Sequence, residues 1–163
     1  DVYKRQELRK DIDEMNDWLF DNINNGVYKA TFARSKEAYR DAYNSFYAAM
    51  DILEKRLENQ RFLFGDYVTD SDVRLYVTLA RLDIRYTWQL GHTKHRLIDY
   101  PNLWGYARDL YQTPGFGDTT DFAAIKKHYH IDCNPGNIHQ IIAKGPDEEA
   151  WLLPHGREKF SEK

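Results

Sequence analysis

The chain has 163 residues, 42% of them hydrophobic, and its 23 Lys and Arg against 26 Asp and Glu leave a net charge of −3. That length predicts one compact domain; the missing basic excess excludes non-specific nucleic-acid binding; and no apolar stretch approaches the ~18 residues a membrane-spanning helix needs. One cysteine, Cys133, excludes an internal disulfide framework, and with no charged-then-apolar leader in view the expected place is the cytoplasm.

Residues 1–6, Asp1-Val2-Tyr3-Lys4-Arg5-Gln6, match one translation of a transposon end used to tag DNA for sequencing. They are set aside as an adaptor scar, which implies that the natural protein extends further upstream. From Glu7 to Asn24, Leu8, Ile12, Met15, Trp18, Leu19 and Ile23 recur in steps of three and four, the pattern of an amphipathic helix. Asn24-Asn25-Gly26 predicts its stop, followed by a loop through Val27, Tyr28 and Phe32. Ser35 is placed to cap a second helix running to about Asn59, with Ala42, Phe46, Ala49, Leu53 and Leu57 on its apolar stripe. Thr69-Asp70-Ser71-Asp72 resembles a capping box, in which Thr69 Oγ1 takes an N–H near Asp72 and the Asp72 carboxylate reaches back. The helix it opens, over residues 70–90, is apolar around most of its circumference and is expected to be the central, most buried one. Pro101 suits the first turn of a helix over 102–112, and Asp118 or Thr119 is expected to start a short one ending near His128. The chain beyond Tyr129 reads as a mostly extended tail with one turn near Glu148 to Trp151 and a frayed end from Arg157. The expectation is an all-α bundle of about five helices over 7–130 and an extended C-terminal tail over 131–163.

Few motifs carry chemistry. His92, His95, His128, His130 and His139 with Cys133 lack the tight paired spacings of a zinc site, so no metal is expected. No Gly-rich loop precedes a helix, and no serine lies in a nucleophile elbow. Cys133 neither opens a helix nor has a CxxC partner, which argues against a catalytic thiol. The 12 tyrosines are the outlier. Tyr28 and Tyr129 fall where helices run out, and a phenol, neutral at pH 7, can donate a hydrogen bond to a thiolate or phenolic oxygen.

Several segments are similar to a known family: Asn24-Asn25-Gly26-Val27-Tyr28-Lys29-Ala30, Gly65-Asp66, Thr69-Asp70-Ser71-Asp72-Val73-Arg74-Leu75, Arg81-Leu82-Asp83, Asp99-Tyr100-Pro101-Asn102-Leu103, Lys126-Lys127-His128-Tyr129, Gly145-Pro146 and Pro154-His155-Gly156-Arg157-Glu158. In this order they resemble the C-terminal domain of the glutathionyl-hydroquinone reductases, the xi-class glutathione transferases, over about residues 7–159. The resemblance implies a transferase-like helical domain that supplies the aromatic-substrate pocket. It further implies that the nucleophilic Cys lies in a thioredoxin-like N-terminal domain outside this chain, so the chain holds no catalytic residue and should be inactive alone. Glutathione is the implied co-substrate and a glutathionyl-hydroquinone the implied substrate, reduced to the hydroquinone with release of oxidised glutathione. The implied assembly is a homodimer, and the two pocket tyrosines of the family fall on Tyr28 and Tyr129. Thr31-Phe32, His130 and Gly136-Asn137-Ile138 depart from the family's pattern. The alternative is a non-catalytic transferase-like protein-interaction module, which has no need of the two tyrosines; a redox sensor would need a Cys133 thiol well below its ordinary pKa.

Overall fold

The computed structural model of the chain describes residues 6–86 and 94–161. Most of the adaptor segment, and the expected run of the central helix through Trp88 to residue 90, lie outside the described residues, as does His92. Among the described residues the architecture is all-α, with one isolated bridge between Phe62 and Gly65.

Helix α1, Arg9–Leu19, continues through a π-helical turn at Phe20–Asn24 and buries Ile12, Leu19 and Ile23. The predicted stop and loop are absent here: the chain re-enters a helix at once, α2, Gly26–Thr31. Asn25 is right-handed helical, and the Gly26 φ is not positive. Gly26 is needed for closeness instead, since a Cβ there would sit 3.2 Å from Phe46 Cδ2. Helix α3, Lys36–Arg56, starts at Ser35, whose Oγ accepts the Ala38 N–H at 3.0 Å. Its stripe of Phe46, Tyr47, Met50 and Leu53 forms one wall of the core.

Helix α4, Asp70–Arg81, runs on through a second π-helical turn, Leu82–Tyr86. Its start is a capping box with an addition. Asp72 Oδ2 accepts the Thr69 N–H at 2.7 Å and the Thr69 hydroxyl at 2.8 Å, while Oδ1 accepts the Leu63 N–H and the Tyr106 hydroxyl. Burial pushes this carboxyl up, and the four donors pull it back. The helix is less enclosed than its composition predicts, because Val73 and Val77 are exposed on one stripe.

Helix α5, Pro101–Gln112, has a cap supplied from another element: the Glu54 carboxylate on α3 accepts the Asn102 and Leu103 N–H groups at 2.9 and 2.8 Å. Helix α6, Phe122–Lys127, begins later than predicted. Asp121 caps it by accepting the Ala124 N–H, whereas Gly117–Thr119 is a separate 3₁₀ turn. A third π-helical turn, His128–Asp132, follows.

The tail holds the expected turn, at Glu148–Leu152, which seats Trp151 against Trp104, Tyr111 and Phe122. Up to Ser161 its end is not frayed. Arg157 is 3% exposed and donates to the carbonyls of Leu57, Gln60, Arg61 and Asn102. The tail backbone crosses α5 so closely that a Cβ on Gly105 would meet the His155 carbonyl oxygen at 3.0 Å.

Candidate functional site

Each of the three π-helical turns delivers or borders one tyrosine. Such turns insert a residue into the helical register and recur at functional positions. Tyr28 sits on α2 just beyond the first turn, Tyr86 ends the second, and Tyr129 lies in the third. Tyr28 is thus on a helix rather than in the predicted loop. Asn24 ties this end of α1 to α4 by donating to the Arg74 carbonyl and to Thr78 Oγ1 at 2.7 Å.

The three hydroxyls meet. Tyr28 Oη is 3.0 Å from Tyr86 Oη and 3.3 Å from Tyr129 Oη, and Tyr86 Oη is 2.9 Å from Tyr129 Oη. The Tyr86 ring stands edge-on to both of the others, with centroids 5.6 and 5.8 Å away. Tyr28 and Tyr129, 101 positions apart in sequence, therefore lie side by side. Tyr86 escaped sequence reasoning because it reads as one more apolar member of the central helix. Its position one turn beyond Arg81-Leu82-Asp83 was the only available signal, and a weak one.

The group lines a cavity of about 420 Å³ together with Asn24, Arg74, Val77, Thr78 and Arg81. Burial first, then the adjoining hydroxyls, holds the Tyr86 phenol far above its ordinary pKa. Burial and the Tyr28 hydroxyl raise Tyr129 as well, against the opposing pull of Tyr86 and of the Arg81 cation. Both remain protonated at neutral pH and are hydrogen-bond donors. The Arg85 guanidinium lies over the Tyr129 ring, 5.7 Å from its centroid, and His128 packs edge-on beside it.

Cys133 is exposed and outside that lining; its Sγ is 3.3 Å from His128 Nε2. His130 is buried, and burial with the nearby Arg85 and Lys126 cations lowers its pKa. Among the described residues no three His, Cys, Asp or Glu side chains are grouped to hold a metal ion. A second cavity of about 770 Å³, which shares Val77 and Arg81 with the first, opens toward Tyr76, Phe116 and Ile125.

Residues 36–109 of this helical bundle, the capping box included, match the family model of the glutathione S-transferase C-terminal domain. Glutathionyl-hydroquinone reductase YqjG of Escherichia coli K12 is 42% identical over 151 residues, which is 93% of this chain and 46% of that protein. The glutathione-bound structure of the same protein superposes with a TM-score of 0.87 over 96% of this chain and 50% of its own. A glutathione transferase from Gordonia bronchialis is 46% identical with a TM-score of 0.92, covering 99% of this chain and 50% of its own. The xi-class transferase from Natrialba magadii is 34% identical with a TM-score of 0.89, covering 96% and 48%. The chain spans about half the length of the curated relatives it matches.

Proposed function

We propose that the chain is the ring-binding helical half of a glutathione-dependent reductase acting on glutathionyl-hydroquinones. The observation that carries this reading is the convergence of the Tyr28, Tyr86 and Tyr129 hydroxyls, all within 3.3 Å of one another, on the wall of one cavity. A hydroquinone offers two oxygens on a flat apolar ring. Phenol donors beside edge-on aromatic faces suit both parts of that ligand.

The chemistry is thiol–disulfide exchange supplied by a cysteine of the other half of the enzyme. Its thiolate attacks the glutathione sulfur of the conjugate and forms a mixed disulfide. The ring carbon leaves with the carbon–sulfur electron pair and takes a proton, giving the hydroquinone. A second glutathione thiolate then attacks the mixed disulfide, which releases oxidised glutathione and restores the cysteine. In this scheme Tyr28, Tyr86 and Tyr129 hold the ring oxygens and fix the ring relative to the attacking sulfur. The whole enzyme is read as a cytoplasmic homodimer; a reducing compartment fits the one free, exposed Cys133.

The test is an assay of the complete reading frame beside this chain alone, with a glutathionyl-hydroquinone and glutathione. Turnover by the complete protein and none by the chain is expected. Turnover by the chain that Cys133→Ala abolishes would move the nucleophile to Cys133 and overturn the assignment.

A further inference from the structure

The tyrosine cavity is lined by two guanidinium groups, Arg74 and Arg81, and by no carboxylate. The two cations differ in their partners. Arg74 Nε donates to Asp70 Oδ2 at 2.9 Å, so a carboxylate already answers its charge. Arg81 is half-buried and gives Nη1 to the Val77 carbonyl at 2.6 Å, a neutral acceptor on its own helix. No carboxylate among the described residues pairs with it. A guanidinium carries five N–H donors in a planar fork, and this fork matches a carboxylate. Most of the Arg81 fork is therefore left for a ligand.

Position agrees with charge. In an ordinary α-helix, residues five apart point to different sides. The π-helical turn at Leu82–Tyr86 closes i→i+5 bonds, and Tyr86 lines the same cavity as Arg81. The Arg81 charge acts on the Tyr129 phenol, whose upward shift it opposes. Arg85 adds a second cation against the Tyr129 ring. A ring whose oxygen meets the tyrosines thus has an unanswered positive charge at its edge. The cavity, at about 420 Å³, has room for a substituted ring.

Resting on the ring-binding reading above, we propose that Arg81 makes this cavity selective for hydroquinones bearing an acidic ring substituent, a carboxylate above all. Arg81 is the specificity-determining residue, and the tyrosines hold the ring whatever its substituent.

The test uses two probes that differ by one charge, 2,5-dihydroxybenzoate and its methyl ester, titrated into this chain at low salt. The readout is the ratio of their dissociation constants. Wild type should bind the acid about two- to fivefold more tightly, the factor a half-exposed ion pair supplies. The ratio should shrink as salt is added. Arg81→Gln should bring the ratio to about one, and Arg81→Lys, which keeps the charge without the fork, should retain part of it. Equal binding of acid and ester by wild type would overturn the inference while leaving the ring site standing. So would a preference that survives Arg81→Gln, or one lost instead in Arg74→Gln. If neither probe binds, the ring-binding reading itself fails, and this inference with it.

Discussion

Three phenols within 3.3 Å of one another hold three protons between them, enough for each hydroxyl to donate to one neighbour and accept from the other. A ligand oxygen entering this triangle replaces one of those contacts and gains a donor already in place. Changing any one tyrosine to Phe in the complete enzyme should therefore remove about 0.5–1.5 kcal/mol, up to roughly tenfold in kcat/KM. If the three act on one ring, as proposed, the Tyr28→Phe/Tyr129→Phe pair should lose less than the product of the single losses, and independent effects would contradict a shared ligand. His130 supplies a test through pH. It is held neutral by burial and by the Arg85 and Lys126 cations, with a folded pKa below the ordinary 6.5. Between those two values the unfolded chain binds the proton and the folded chain does not, so stability rises with pH across that window and is complete above it. Unfolding midpoints at about pH 7.5 and pH 5.5 should differ less in His130→Gln than in wild type; an unchanged difference would show that His130 is not the titrating group.

At the scale of elements, the helices with strong end signals were legible in the sequence. Ser35, Pro101 and the Thr69-to-Asp72 box each mark a real helix start. Thr69→Ala removes one of the four donors on a fully buried carboxylate and should cost about 0.5–2 kcal/mol, read as a lower denaturation midpoint at equal m-value. Local signals failed where the decisive partner is distant. Asn24-Asn25-Gly26 has the composition of a stop, yet Phe46 fills the space beside Gly26 and the chain turns straight into α2. The π-helical turns leave no mark in a 3.6-residue periodicity, and with them went Tyr86. The tail departs from its local pattern for a related reason: nothing local in His155-Gly156-Arg157 announces that Arg157 reaches carbonyls about 100 positions back. Arg157→Ala strips several charge-assisted bonds from the end of α3 and should destabilise the fold by about 3 kcal/mol or more in urea unfolding. Arg157→Lys should recover only part of this, because an ammonium cannot span carbonyls on several residues. A loss no larger than that of an exposed substitution would contradict the clamp.

For the whole molecule, the all-α class followed from periodicity and the scarcity of turn residues, while the site did not follow from either. Tyr28 and Tyr129 stand out by their place at helix ends and by the family resemblance, and packing joins them through α4 and Tyr86 of the π-helical turn after it. Two cavities among the described residues share Val77 and Arg81, and the hydroxyl triangle lines the first of them. The most direct test is a titration of this chain, labelled with ¹³C in its tyrosine rings, with unsubstituted hydroquinone. The account predicts that the Tyr28, Tyr86 and Tyr129 resonances shift together with one dissociation constant, while Tyr76 in the neighbouring cavity stays in place. Shifts confined to Tyr76, or none at any of the three, would contradict it.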